Sequence, residues 1–179
     1  MTDRKLNKGC AVALGNFDGL HIGHLAVINR TAEEAGENLT AAVMLFDEHS
    51  LKAVTGEAPP KLITDSERAA IFKEKDIEAF IVNFSEIRDF SPEEFIEEIL
   101  VKKLNAKVVL CGFNYRFGKK AKGDAKLLED LCIEKGIKCV IIDEVETDGM
   151  AVSSTAIRKA VERGDIEKAN SMLGRCFGC

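Results

Sequence analysis

Short apolar, β-branched runs alternate with amphipathic stretches along this chain, and that alternation constrains the fold more than any other feature. Parallel strands buried on both faces read as continuous apolar runs, and each parallel pair needs a crossover long enough to hold a helix. Such runs fall at residues 10–14, 39–46, 80–83, 107–110 and 138–142. Between them, 22–35 carries Ile22, Leu25, Ile28 and Ala32 on one side, as a helix packed on a sheet requires. Thr64 and Glu67 are spaced as a capping box, as are Ser91 and Glu94, the latter with Pro92 at the first helical position. Phe95, Ile96, Ile99, Leu100 and Leu104 continue that second helix, and Leu127, Leu128, Leu131 and Cys132 mark another. Two short helices, 155–163 and 166–173, follow with Gly164 and Asp165 between them, and 47–62 reads as a long functional loop. Right-handed crossovers then leave an α/β fold, a doubly wound, Rossmann-like parallel sheet of about five strands in a single domain. Its ligand would sit at the C-terminal strand ends.

Composition narrows the function classes. Twenty-five Lys and Arg against 30 Asp and Glu give a net charge of -5, which argues against a surface adapted to nucleic acid or to an anionic membrane. Any anion site must be local. With no secretory h-region and no membrane-length apolar run, a cytoplasmic protein is expected. Cys10, Cys111, Cys132, Cys139, Cys176 and Cys179 are then expected to be reduced thiols. The lone C-x-x-C formed by Cys176 and Cys179 lacks the further ligands that a zinc site needs.

GNFDGLHIGH, residues 15–24, falls where the first strand ends and the first helix begins. Gly15, Gly19 and Gly23 allow tight turning, and the exposed N–H groups of a helix start favour phosphate. The glycines are four apart, so this is not the dinucleotide fingerprint. His21 and His24, three residues apart, face the same way on a helix and can both donate to one phosphoryl group. Nucleotidyl transfer needs such donors, because negative charge grows on the α-phosphate and the leaving pyrophosphate.

After the fourth strand, GFNYRFGKKAKGD has five residues between Gly112 and Gly118, and Lys119 is followed by Lys120 rather than Ser or Thr; both exclude a Walker loop. Arg116, Lys119, Lys120 and Lys122 form a local positive cluster, interleaved with Phe113, Tyr115 and Phe117, which could flank a flat ring. In VSSTAIR, residues 152–158, the hydroxyls of Ser153, Ser154 and Thr155 and the guanidinium of Arg158 gather at a helix start, where one anion could use them all.

Together these blocks resemble the HxGH nucleotidyltransferases in the form carried by bacterial FAD synthetases, over about residues 12–175. The resemblance implies an FMN adenylyltransferase that uses ATP and Mg²⁺ to turn FMN into FAD and pyrophosphate. It implies catalytic roles for His21, His24, Asn114 and Arg158, with Asn114 also near the metal. ATP contacts are implied for Gly15, Asn16, Phe17, Asp18, Gly23, Gly112, Ser154 and Thr155, and flavin contacts for Phe46, His49, Phe113 and Phe117. FDEHS stands where the family has a Phe-x-Pro-His-Pro run, with Glu48 and Ser50 in place of the prolines, and Met150 and Ala151 stand where a basic residue often precedes the SST run. A different small phosphate acceptor, such as pantetheine phosphate or glycerol phosphate, therefore stays open, as does an inactive flavin- or nucleotide-binding protein. In the usual bifunctional enzyme a riboflavin kinase domain follows the segment that here reads MLGRCFGC. Residues 1–174 are accordingly expected to be the adenylyltransferase domain, 175–179 a tail at that junction, and riboflavin is not expected to be phosphorylated.

Overall fold

A computed structural model of the chain describes residues 8–47, 56 and 59–178. Its main strands are β1 (Cys10–Leu14), β2 (Thr40–Phe46), β3 (Glu78–Val82) and β4 (Ala106–Gly112). Beyond a small antiparallel pair, β5 (Arg116–Phe117) with β6 (Gly123–Asp124), comes β7 (Lys138–Ile142). The five long strands form one parallel sheet in the order β3-β2-β1-β4-β7.

All five residues of β1 are buried, as the central position demands. Cys10, Val12 and Leu14 face one layer of the core, whereas Ala11 and Ala13 face the other. The second layer is closed by α1 (Ile22–Ala35) and α2 (Asp65–Glu74), through Val27, Ile28, Ala35 and Phe72. The first is closed by α5 (Ala125–Glu134) and by a long helix that begins as α4 (Pro92–Glu94), after the single turn of α3 (Phe84–Ile87). Last come the hairpin of β8 (Glu146–Thr147) and β9 (Met150–Ala151), then α6 (Ser154–Glu162) and α7 (Ile166–Leu173). The final two helices share a smaller core of Ile157, Ala160, Ala169, Met172 and Leu173 that includes Leu62.

The doubly wound parallel sheet is as the alternation predicts, and both capping boxes form. Beyond α4, however, the chain winds as a π-helix over Phe95–Lys103, and Leu104 N–H donates to the Ile99 carbonyl at 2.9 Å. Phe95, Ile99 or Leu100, and Leu104 recur every four to five residues, so wider winding keeps them on one buried face. A second difference is that Cys176 is disulfide-bonded, while Cys10, Cys111, Cys132 and Cys139 are free. The expectation of six reduced thiols is corrected accordingly. Most of the predicted 47–62 loop lies outside the described residues.

At Ser91 the cap hydroxyl accepts from Glu94 N–H, and the Glu94 carboxylate accepts from Ser91 N–H at 2.7 Å. Ser91→Ala is expected to cost about 1 kcal/mol. In a chain of this size, that lowers Tm by about 2–4 °C. Thermal melts check the value, and turnover per folded molecule should match wild type.

Candidate active site

β2 and β3 lie to one side of β1, and β4 and β7 to the other. The chain leaving β1 enters α1 on one face of the sheet, whereas the chain leaving β4 leads to α5 on the opposite face. The two loops diverge at the C-terminal ends of β1 and β4, the usual ligand position in such sheets. The GNFDGLHIGH turn and the Gly112–Gly118 loop both stand there.

In the β1–α1 turn, Gly15 follows the strand, and Phe17 (φ 47°) and Leu20 (φ 41°) adopt left-handed backbone. The Phe17 ring is buried in the core and meets His24 edge-on at 5.3 Å between centroids, so its side chain supports the histidine. His21 is the N-cap of α1, its Nδ1 accepting from His24 N–H at 3.2 Å, and Gly23 lies within the first turn. The two imidazoles stack, 3.7 Å between centroids and 16° from parallel. His21 is only 7% exposed, and burial lowers its pKa to about 4; the Arg175 charge pushes the same way, and Asp18 opposes. Burial, with His21 beside it, also holds His24 well below the usual imidazole range. Both rings are therefore neutral at pH 7. Because the His21 Nδ1 is an acceptor, its proton sits on Nε2, where it is available to a ligand. The Nδ1 of His24 is buried with no hydrogen-bond partner among the described residues.

The three hydroxyls at the start of α6 do different work. Ser153 caps the helix, its Oγ accepting from Ala156 N–H at 3.1 Å. Ser154 Oγ donates to Asp18 Oδ1 at 2.6 Å, 136 residues away, and Thr155 is exposed. Gly19 permits this approach, since a Cβ there would stand 3.0 Å from Leu62 Cδ1 and 3.6 Å from Ser154 Oγ. Arg158 donates through Nη2 to Asp18 Oδ2 at 2.5 Å and through Nε to the Pro60 carbonyl at 2.9 Å. Its Nη1 has no protein partner among the described residues. Burial pushes the Asp18 carboxyl up, but the hydrogen bonds from Ser154 and Arg158 win and bring it down to about 2.

On the β4 side, Gly112 ends the strand and Asn114 is exposed in the turn that Tyr115 N–H closes onto the Gly112 carbonyl at 3.0 Å. Phe113 is 45% exposed, but Phe117 is 6% exposed and packs against Phe95 and Tyr115. The aromatic loop therefore offers one open ring, with Phe117 as its core anchor. Of its cations, Lys119 pairs with Asp89 at 3.2 Å and Arg116 with Asp124 at 3.9 Å.

A cavity of about 840 Å³ runs between α2 and the ends of β2 and β3. Asn16, Asp18 and Arg158 border it from the motif side, Phe46 and Asp47 from β2, and Lys61 and Arg68 from α2 and the segment before it. Neither His21 nor His24 lines it, nor do Phe113 and Phe117. Phe46 meets Phe84 at 5.0 Å, and His49 lies outside the described residues. Sequence reasoning missed Lys61, Arg68 and Arg175, because nothing local marks them as neighbours of the motif. No group of three His, Cys, Asp or Glu among the described residues is arranged to hold a metal. A Mg²⁺ carried in by a triphosphate fits this donor set, since that ion commonly takes one or two protein oxygens beside phosphates and waters, and the exposed Asn114 has an amide oxygen to give.

The sequence pattern of the FAD synthetase family matches residues 3–156. Among curated proteins, the chain is similar to bifunctional riboflavin kinase/FMN adenylyltransferases. It is 31% identical to that of Buchnera aphidicola subsp. Schizaphis graminum over 97% of this chain and 57% of the relative. It is 33% identical to the Escherichia coli K12 protein (95% and 56%) and 34% identical to that of Bacillus subtilis 168 (93% and 54%). The chain thus spans about half the length of these relatives. A crystal structure from Streptococcus pneumoniae, described as a macrolide-efflux protein, superposes with a TM-score of 0.78 at 27% identity, over 93% of this chain and 56% of that one.

Proposed function

The chain belongs to the FAD synthetase family, and on that premise we propose that it joins the AMP of ATP to FMN, giving FAD and pyrophosphate. In this reaction an FMN phosphate oxygen attacks the α-phosphorus of ATP, and the bond from that phosphorus to the pyrophosphate oxygen breaks. Negative charge then grows on the α-phosphoryl oxygens and on the leaving group. What supports the reading most is the pair of stacked, neutral imidazoles in the first turn of a helix at the sheet's switch point. Neutral donors held in a buried turn stabilise developing charge without needing to reorganise.

His21 and His24 donate to the α-phosphoryl group, and the backbone of Gly15, Asn16, Phe17 and Gly23 approaches the nucleotide. The Thr155 hydroxyl and the N–H groups that start α6 take the β- and γ-phosphates, with Arg158 contributing Nη1 while Asp18 and Pro60 hold the rest of its guanidinium. Mg²⁺, when bound, neutralises charge on the triphosphate, and Asn114, next to Gly112, is the residue we assign to it. Phe46 and Phe113 are the rings we assign to the flavin. The cytosol, which holds both substrates, is the location we assign; among the described residues no helix is long and apolar enough to cross a membrane.

One observation favours a second acceptor. Phe46 lines the cavity beside Lys61 and Arg68, whereas Phe113 does not, so the flavin candidates do not converge. The test is to incubate the full chain with ATP, Mg²⁺ and each of FMN, pantetheine phosphate and glycerol phosphate, and to separate the products by chromatography. FAD with equimolar pyrophosphate is expected from the first. An adenylylated product from another acceptor alone would move the assignment to that acceptor, and no product from any would leave a binding protein.

A further inference from the structure

The segment after α7 returns to the catalytic motif. Gly174 ends α7 in left-handed conformation (φ 69°), and a Cβ there would stand 2.7 Å from Ile22 Cγ2, so the chain passes directly against the first residue of α1. Arg175 then donates from Nη2 to the Gly19 carbonyl at 2.8 Å and from Nη1 to the Leu20 carbonyl at 2.9 Å. Beyond it, Phe177 N–H donates to Asn170 Oδ1 at 2.8 Å, and the Phe177 ring packs on the α6–α7 core. The arginine is thus anchored on both sides.

Those two carbonyls belong to the residues immediately before His21. Gly19 and Leu20 are buried, so their carbonyls need partners, and Leu20 is held in a backbone conformation that a leucine seldom adopts. Such a conformation persists only where its surroundings over-determine it. A planar fork can bridge two adjacent carbonyls, whereas a lysine ammonium is a single point on a flexible stem. We infer that Arg175 is a positioning residue for the histidine pair: by clamping the carbonyls of Gly19 and Leu20 it fixes the turn from which His21 and His24 reach the transferred phosphoryl group. This role rests on the proposed adenylyl transfer. Arg175 itself touches no reacting atom; it acts through the backbone that carries His21.

The test compares Arg175→Lys and Arg175→Gln with wild type in the full chain. Misplacing catalytic groups by about 1 Å can cost a hundredfold in rate, so kcat should fall about ten- to a hundredfold in folded protein with little change in the KM for ATP, and Lys should not rescue. The imidazole ¹H–¹³C resonances of His21 and His24, assigned by single substitutions, should shift or broaden in both ligand-free variants as the stacked pair loosens. That second readout needs no turnover, so it still reports on positioning if the wild type fails to make FAD from FMN. Wild-type kcat in either folded variant, full rescue by Lys, or a kcat loss with unmoved imidazole resonances would each overturn the inference. Should Gln prevent folding, the Lys variant carries the same two readouts.

Discussion

In His24→Ala the rate of AMP transfer is expected to fall about a hundredfold or more, with a far smaller change in the KM for ATP. The asymmetry follows from where the charge is. In the ground state the α-phosphate already has solvent and counter-ions, whereas in the transition state further charge accumulates on oxygens that only a fixed donor in a dry turn can reach. His24 suits that task because burial keeps it neutral and the stack on His21 and the edge of Phe17 hold its ring. It is also the cleaner of the two positions to test, because its buried Nδ1 makes no hydrogen bond among the described residues that truncation would break. His21→Ala, by contrast, removes the cap acceptor for His24 N–H, and the lost cap alone costs about 1 kcal/mol. His21→Asn keeps an acceptor suited to that cap while deleting the imidazole, so it should hold stability and still lose rate. Steady-state kinetics and melts on the same samples separate these effects, and turnover within a few-fold of wild type in folded His24→Ala removes that histidine from the reaction.

Asp18→Ala is expected to destabilise the protein by about 3 kcal/mol at pH 7. That corresponds to a drop in Tm of about 6–12 °C. The carboxylate joins the β1–α1 turn to α6 through Ser154 and Arg158, and the Asp18 and Arg158 side chains are only 15% and 14% exposed. Removing one member leaves a largely buried charge without its partner, which costs more than the pair contributes net. Asp18→Asn keeps the shape and an acceptor for Ser154, so it should cost less. The pH dependence has a definite sign. The folded pKa, about 2, lies below the ordinary carboxylate value of about 3.9, so Asp18 contributes about 2–3 kcal/mol above pH 4, lost as pH falls through 2. Wild type and Asp18→Asn should therefore converge in stability towards pH 2. In Arg158→Ala the opposing effect of burial is left less countered, and the Asp18 pKa should rise. A denaturant series from pH 2 to 7 checks both signs, and equal stability of Asp18→Ala and wild type at pH 7 would remove the bridge.

Local features were legible without coordinates because their causes are local. The alternation of apolar runs marks the five parallel strands, the spacing of Ser91 to Glu94 and of Thr64 to Glu67 marks two helix starts, and the strand-to-helix position of GNFDGLHIGH puts His21 at an N-cap. Each depends on contacts within a few residues, or on the period of one element against a core. The same reasoning reaches the gathering of motifs at the strand ends, since a doubly wound sheet brings every such loop to one edge.

Tertiary packing decided how those motifs are used. No spacing in the chain relates Asp18 to Ser154 and Arg158, or Arg175 to Gly19 and Leu20; these hydrogen bonds close loops of 136 to 156 residues, and their partners are chosen by how α6 and α7 pack against the start of α1. Phe113 and Phe117 look alike in sequence, yet one is open and the other is a core side chain, because burial depends on what lies across from a residue. The identity of the motif is thus written in the sequence, where short-range geometry suffices. The neutrality of its histidines and the partners that hold its turn exist only once distant segments have excluded water from the same small volume.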